Sequence, residues 1–101
     1  MHGRGWREIG RGHREVDLHG MERGPARAAV MDALEACRRD GVHRLRVVHG
    51  KGTGVLREEV RFLLENSLLV ADFRTAAPRD GGEGAVEVWI EGGPRRGPVR
   101  G

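Results

Sequence analysis

Two short segments of the chain end in the same pair of residues, a histidine followed by a glycine. The first is VDLHG at residues 16–20 and the second is RVVHG at residues 46–50. A histidine can take up or release a proton near neutral pH, and a nearby carboxylate such as Asp17 can orient its ring. If both segments are strands ending at one edge of a sheet, they bring His19 and His49 to one place. Asp17, His19 and His49 are therefore candidate catalytic residues.

The second segment continues into a glycine-rich loop, HGKGTG, in front of a predicted helix. Glycines let several backbone N–H groups turn toward one point, and a helix N-terminus adds unpaired N–H groups and the positive end of its dipole. Lys51, the only lysine among the 18 Lys and Arg residues, adds a compact positive charge and is also a candidate catalytic residue. The spacing differs from that of a P-loop, which disfavours nucleotide hydrolysis. The predicted phosphate-binding residues are Gly50, Lys51, Gly52, Thr53, Gly54 and Arg57.

Asp17 and His19 permit a second interpretation of the chemistry. Side chains two residues apart on a strand lie on the same face, about 7 Å apart along it. Such a pair could bind a divalent cation, Mg or Mn, that polarises a phosphate, instead of transferring a proton. The residue types do not decide between proton transfer and metal binding. The sequence therefore leaves undecided whether the protein uses a divalent cation as cofactor.

Hydrophobic periodicity predicts the elements that must position these residues. Strand patterns occur in EVDLHG, HRLRVVHG, LVADFRTA and AVEVWI, and helical patterns occur between Gly24 and Gly41 and at about 55–67. The order βαβαββ is typical of a two-layer α/β sandwich, in which the first two strands are parallel and both helices cover one face. We therefore expect a four-stranded mixed sheet with one open face.

Charge and composition limit the classes of function that the chain can have. The net charge is +3, yet residues 15–90 contain 11 basic and 13 acidic side chains, so the positive excess lies at the two ends. We expect a flexible Gly/Arg-rich basic arm at 1–14, a folded domain at 15–91 and a flexible tail at 92–101. The single cysteine, Cys37, excludes an internal disulfide and a cysteine-based zinc cluster. With no membrane-length apolar run and no signal peptide, we expect a cytoplasmic protein without a membrane partner.

These motifs resemble those of the small MutS-related (Smr) domain family. VDLHG is similar to its opening LDLHG-type motif, HGKGTGVLR to its HGxGxG motif, and GGEGAVEVWI to its glycine-rich closing strand. The resemblance implies a fold similar to the C-terminal domain of translation initiation factor three. It also implies nucleic-acid binding, with endonuclease or nicking activity on DNA or RNA in several members. The implied partners are nucleic acid and either a ribosome or a MutS-like repair protein. His19 favours a stand-alone member of the family.

Three hypotheses for the function follow. In the first, the protein is an endonuclease whose loop holds the scissile phosphate while Lys51 stabilises developing charge and His19 with Asp17 transfers a proton or binds metal. In the second, it is a non-catalytic module that binds DNA, RNA or ribosomes. Asp17 argues against the second, because a carboxylate repels phosphate. In the third, the loop binds a small anionic ligand.

Overall fold

The computed structural model describes residues 5–92, in which two helices cover one face of a mixed sheet. The elements are β1 (Trp6–Gly10), β2 (His13–Asp17), α1 (Arg23–Asp40), β3 (Arg44–Val48), α2 (Val55–Glu65), β4 (Val70–Thr75) and β5 (Ala85–Ile90), with two short 3-10 turns, Pro78–Asp80 and Gly82–Gly84, between β4 and β5. Within these residues, neither helix combines the length and the apolar character needed to cross a bilayer.

The sheet order is β1-β2-β3-β5-β4, and it confirms the predicted α/β sandwich. The pairing of β2 with β3 is parallel, whereas β5 pairs antiparallel with both β3 and β4. In the parallel pair Asp17 lies opposite Val48, so both strands end at the same edge. The Leu18 N–H then donates to the Val48 carbonyl at 2.7 Å. This register brings the two His-Gly segments together.

The predicted number of strands was wrong, because β1 forms within the segment expected to be a flexible arm. β1 pairs antiparallel with β2. Its Trp6 is half-buried and its Glu8 is exposed, so these residues lack the apolar alternation of an ordinary strand. They are held by buried Arg14, whose guanidinium lies 3.7 Å from the Trp6 ring centroid and whose Nε donates to Glu8 at 2.9 Å. Residues 1–4 of the predicted arm and 93–101 of the predicted tail lie outside the described residues.

The core lies between the helices and one face of the sheet. Alternate sheet residues point into it, and the apolar stripe of α1 covers them with Val30, Ala33 and Cys37, all fully buried. α1 ends at Gly41, whose φ of 71° is the left-handed conformation common at helix C-termini. α2 adds Val60 to the same core. α1 thus packs against both β2 and β3, the two strands whose ends form the candidate site.

The opposite face of the sheet is open and strongly charged. At its centre the carboxylate of Glu87, 3% exposed, accepts hydrogen bonds from Arg46 at 2.6 Å, His13 at 3.0 Å and Arg44 at 3.2 Å. Burial alone would raise the pKa of Glu87, but the hydrogen bonds from Arg46 and His13 lower it. The charges of this face therefore pair largely with one another.

Candidate phosphate-binding and catalytic site

The first half of the site is a hydrogen-bonded pair formed by Asp17 and His19. β2 ends at Asp17, and Leu18, fully buried, anchors the turn that follows. The Asp17 Oδ1 atom accepts hydrogen bonds from the His19 backbone N–H at 3.1 Å and from His19 Nδ1 at 2.7 Å. Because an ionised carboxylate only accepts, Nδ1 carries the proton. The Nε2 atom of His19 is therefore left open, on a side chain that is 72% exposed.

The contact between Asp17 and His19 favours the charged form of each side chain. The hydrogen bond to Asp17, followed by its negative charge, raises the pKa of His19. Partial burial alone would raise the pKa of Asp17, but the hydrogen bonds from the ring and the backbone N–H of His19 lower it. The carboxylate thus favours a protonated imidazolium next to it, which is the state that a proton donor needs.

His49 forms the second half of the site, at the end of β3. The strand ends at Val48, so His49 leaves the alternation of the sheet. The backbone N–H groups of His49 and Gly50 both donate to the Gly84 carbonyl, each at 2.9 Å. The His49 Nδ1 atom donates to the Gly50 carbonyl at 2.7 Å, since a carbonyl can only accept. In neutral His49 the lone pair is therefore on Nε2, which is the atom suited to accept a proton.

Two glycines allow the loops around the histidines to approach closely. Gly50 has a φ of 85°, and a Cβ there would lie 3.3 Å from the His19 Cβ. At Gly84, a Cβ would lie 3.3 Å from the Lys51 Cγ. Gly84, which the sequence analysis did not select, thus holds the HGKGTG loop through its carbonyl and its lack of a side chain. The GGEG run in front of the closing strand was the available signal.

The loop and the start of α2 present unpaired N–H donors to one region. Within residues 5–92, no backbone N–H from 51 to 54, nor that of Leu56 or Arg57, donates a hydrogen bond to protein. The N-cap of α2 is Gly54, with a φ of 95° and no side-chain cap. Lys51 and Arg57 are exposed and make no ion pair with the described residues. Such a cradle of amides and cations favours an anion.

A cavity of about 630 Å³ joins these parts. Its lining includes His19, His49, Gly50, Lys51, Gly52, Thr53, Gly54 and Arg57, together with Glu22 and Arg23 at the start of α1. The structure thus brings together the predicted site residues, with Asp17 attached through His19. Arg23 was missed by the sequence analysis, although a basic residue in a first helical turn without an acidic one opposes the helix dipole and is a usable signal.

The residues present do not fit the divalent cation that the sequence left open. Residues 5–92 contain no group of three or more His, Cys, Asp or Glu side chains placed to hold a metal ion. Asp17 and His19 provide one carboxylate and one imidazole, and they already bind each other. Mg prefers several oxygen ligands in octahedral geometry. We therefore derive no catalytic step through a metal.

The fold and the site define a small α/β module with an anion cradle at the carboxyl ends of two parallel strands. Residues 16–91 match the family model described as Smr domain. The chain therefore belongs to the Smr domain family, as its motifs predicted. The match begins within β2, so β1 lies before it.

Curated relatives and a solved structure agree with this assignment. Endonuclease MutS2 of Thermus thermophilus is 43% identical over 77 residues, covering 76% of this chain and 10% of that protein. Ribosome rescue factor SmrB of Tolumonas auensis is 33% identical over 76 residues, covering 75% of this chain and 44% of that protein. The chain thus spans about a tenth of the MutS2 proteins it matches. The crystal structure of the Smr domain of Thermus thermophilus MutS2 superposes with a TM-score of 0.74 and 42% identity, covering 76% of this chain and 96% of that domain.

Proposed function

We propose that this Smr domain is an endonuclease that hydrolyses phosphodiester bonds in DNA or RNA. One observation carries the proposal. The Nδ1 atoms of His19 and His49 both donate within the protein, and both residues line one anion-binding cavity. His19 is largely exposed and His49 is 7% exposed, and neither Nε2 atom has a hydrogen-bond partner in the described part of the chain. A pair of open imidazole nitrogens beside a phosphate is suited to general acid–base catalysis. The names of the relatives, an endonuclease and a ribosome rescue factor, are in keeping with a nucleic-acid substrate.

Phosphate binding would use charge and backbone dipoles together. The scissile phosphate sits at the N-terminus of α2, where the N–H groups of the HGKGTG loop donate to its oxygens. Lys51 and Arg57 supply positive charge, and Lys51 stabilises the negative charge that develops on the phosphoryl oxygens in the transition state. Arg23 at the start of α1 lines the same cavity, where the neighbouring carboxylate of Glu22 offsets part of its charge.

The two histidines take complementary roles in the reaction. His49 Nε2 accepts a proton from the attacking water as the new P–O bond forms. His19, kept protonated by Asp17, donates a proton from Nε2 to the leaving oxygen as the old P–O bond breaks. Asp17 fixes the tautomer and orientation of the His19 ring throughout.

The test is cleavage of supercoiled DNA and of structured RNA, with Mg, with Mn and with a chelator. We compare the wild type with His19→Ala and His49→Gln, and with His43→Ala as a matched control that removes an exposed imidazole outside the cavity. Loss of a positioned acid or base should slow cleavage about 100-fold or more. Circular dichroism melting verifies that each variant is folded. Equal cutting by the wild type and His19→Ala would reject catalysis at this site.

The alternative is a binding module without chemistry, which would guide a partner such as a MutS-like repair protein to DNA, RNA or ribosomes. The amides and cations of the cradle favour it, since they bind phosphate whether or not a reaction follows. Asp17→Ala separates the two functions. In an enzyme this variant keeps its affinity and loses cleavage, whereas in a binding module it binds more tightly because a repelling carboxylate is gone. If free nucleotides competed for the cavity far better than polynucleotide did, the result would instead indicate a small anionic ligand.

A further inference from the structure

A second cleft lies beside the phosphate cavity, between α2 and the edge strand β4. Its volume is about 200 Å³. The floor is apolar, formed by Val60 and Leu64 of α2, the half-buried Phe73 of β4 and Val86 of β5. A small cleft with an aromatic ring and aliphatic walls suits one flat heterocycle removed from its stack, and it is too small for a base pair.

The cleft adjoins the phosphate cavity, because His49 and Arg57 line both. The first turn of α2 borders the anion cradle, and Val60 and Leu64 follow one and two turns later along the same helix. A strand whose phosphate sits at the N-terminus of α2 therefore meets the cleft with its neighbouring nucleotide. The position of the cleft next to the phosphate cavity therefore indicates which ligand it would take.

The charge at the rim of the cleft is suited to a polyanion. Arg57 and Arg61 are four residues apart on α2 and so project from the same face. Arg57 has no ion-pair partner in the described part of the chain, and Arg61 pairs only with Glu65, at 3.5 Å, both side chains being largely exposed. Exposed pairs of this kind are weak and yield readily to a phosphate. Glu83 is the one acidic residue among those that line the cleft.

The open face of the sheet is a poorer path for a nucleic-acid strand. Its largest ring, Trp89, lies between the guanidinium groups of Arg44 and Arg74, each 5.0 Å from the ring centroid. Those two arginines pair in turn with Glu87 and Asp72. The Trp89 ring is thus flanked by cations, and Arg44 is paired with the buried Glu87, so this face offers little free aromatic surface to a base. Arg74, whose exposed pair with Asp72 is as weak as that of Arg61, also lines the cleft beside α2 and adds to its positive rim.

We propose that this cleft holds a single unstacked nucleobase, from the nucleotide next to the phosphate in the cradle. The ring packs against Phe73 and Leu64, and Arg61 contacts the backbone beyond it. The domain would then select single strands and unpaired positions over continuous duplex, since a paired base must leave its stack to enter. The inference rests on the proposed function, which supplies the neighbouring phosphate.

The test compares binding of a short oligothymidylate with that of an oligomer of equal length in which every position is abasic. The two carry the same phosphates, so their affinity ratio reports on bases alone. Phe73→Leu keeps an apolar side chain in the cleft but removes the aromatic ring. Phe62→Leu is the matched control, because Phe62 is 56% exposed on α2 and does not line the cleft. Arg61→Gln changes an exposed cation and Lys51→Ala changes the cradle.

The wild type should prefer the oligothymidylate by roughly 5- to 100-fold, the range of one base stacked on an aromatic ring. Phe73→Leu should lose most of this preference, and Phe62→Leu should keep it. Arg61→Gln should weaken both oligomers equally. If the wild type binds both oligomers alike while Lys51→Ala weakens both, the base cleft is refuted and the phosphate cradle stands. If the wild type binds neither oligomer, the proposed function fails and the cleft with it.

Discussion

Replacing Gly50 by alanine tests how tightly the two halves of the site are coupled. The residue has a φ of 85°, a conformation that costs an ordinary L-residue about 1–2 kcal/mol. At roughly 4–8 °C per kcal/mol for a domain of this size, the melting temperature should fall by about 4–16 °C. In addition, the new Cβ would lie 3.3 Å from the His19 Cβ, so His19 must shift by a few tenths of an ångström. We expect cleavage to fall about tenfold or more at a temperature where the variant is folded, because small displacements of catalytic groups are costly.

The matched control is Gly41→Ala at the end of α1. Gly41 has a φ of 71°, but a Cβ there has nothing within 4 Å, and the residue does not line the cavity. This variant should lose similar stability while its folded fraction cleaves at the wild-type rate. Melting curves by circular dichroism and initial cleavage rates on one RNA and one DNA substrate provide both readings. If Gly50→Ala and Gly41→Ala cleave equally well when equally folded, the packing of Gly50 against His19 has no catalytic role.

Three further predictions address charge. Asp17→Asn should lower the pKa of His19, so the alkaline fall in the cleavage rate should move to lower pH; an unchanged pH–rate profile would contradict the role given to the pair. Glu87→Gln should cost about 3 kcal/mol in denaturant unfolding near neutral pH. Because the pKa of Glu87 is lowered by folding, its contribution is complete above the ordinary carboxyl pKa and lost as the pH falls through the lowered one, so wild type and variant should converge in acid. Lys51→Ala should weaken binding to all sequences, because it removes about one phosphate contact. The slope of the logarithm of affinity against the logarithm of salt concentration should fall by about one, as anisotropy titrations at several salt concentrations would show.

The sequence predicted the parts of the fold that depend on simple periodicity. The apolar stripe of α1, the β-branched run of β3 and the alternation of β5 each have a strong local pattern, and their order dictates the parallel pair. β1 was missed because Trp6 and Glu8 contact Arg14 through ring stacking and an ion pair, and do not form an apolar face. No hydrophobic period reveals such a strand, since its stabilisation comes from contacts with β2 and α1.

The residues of the candidate site were predictable from the sequence, but their arrangement in space was not. The glycine spacing of the loop and the repeated His-Gly pair identified residues that the structure brings to one cavity. The sequence did not indicate that Gly84 accepts hydrogen bonds from two consecutive N–H groups, because that contact joins segments distant in the chain. Nor did it indicate the Nδ1–H tautomers of His19 and His49, which depend on partners positioned by local turns. The catalytic roles given to these residues stay predictions.

The most direct measurement is nitrogen-15 NMR of the histidine rings during titration with a phosphorothioate oligonucleotide that resists cleavage. In the free protein we predict that neutral His49 carries its proton on Nδ1, and that His19 keeps its Nδ1 proton. On binding, the Nε2 resonances of His19 and His49 should move together, while the rings of His13 and His43 should not respond. A His49 ring found as the Nε2–H tautomer, or a bound oligonucleotide that leaves both Nε2 resonances unmoved, would contradict the convergence of the two imidazoles on a phosphate.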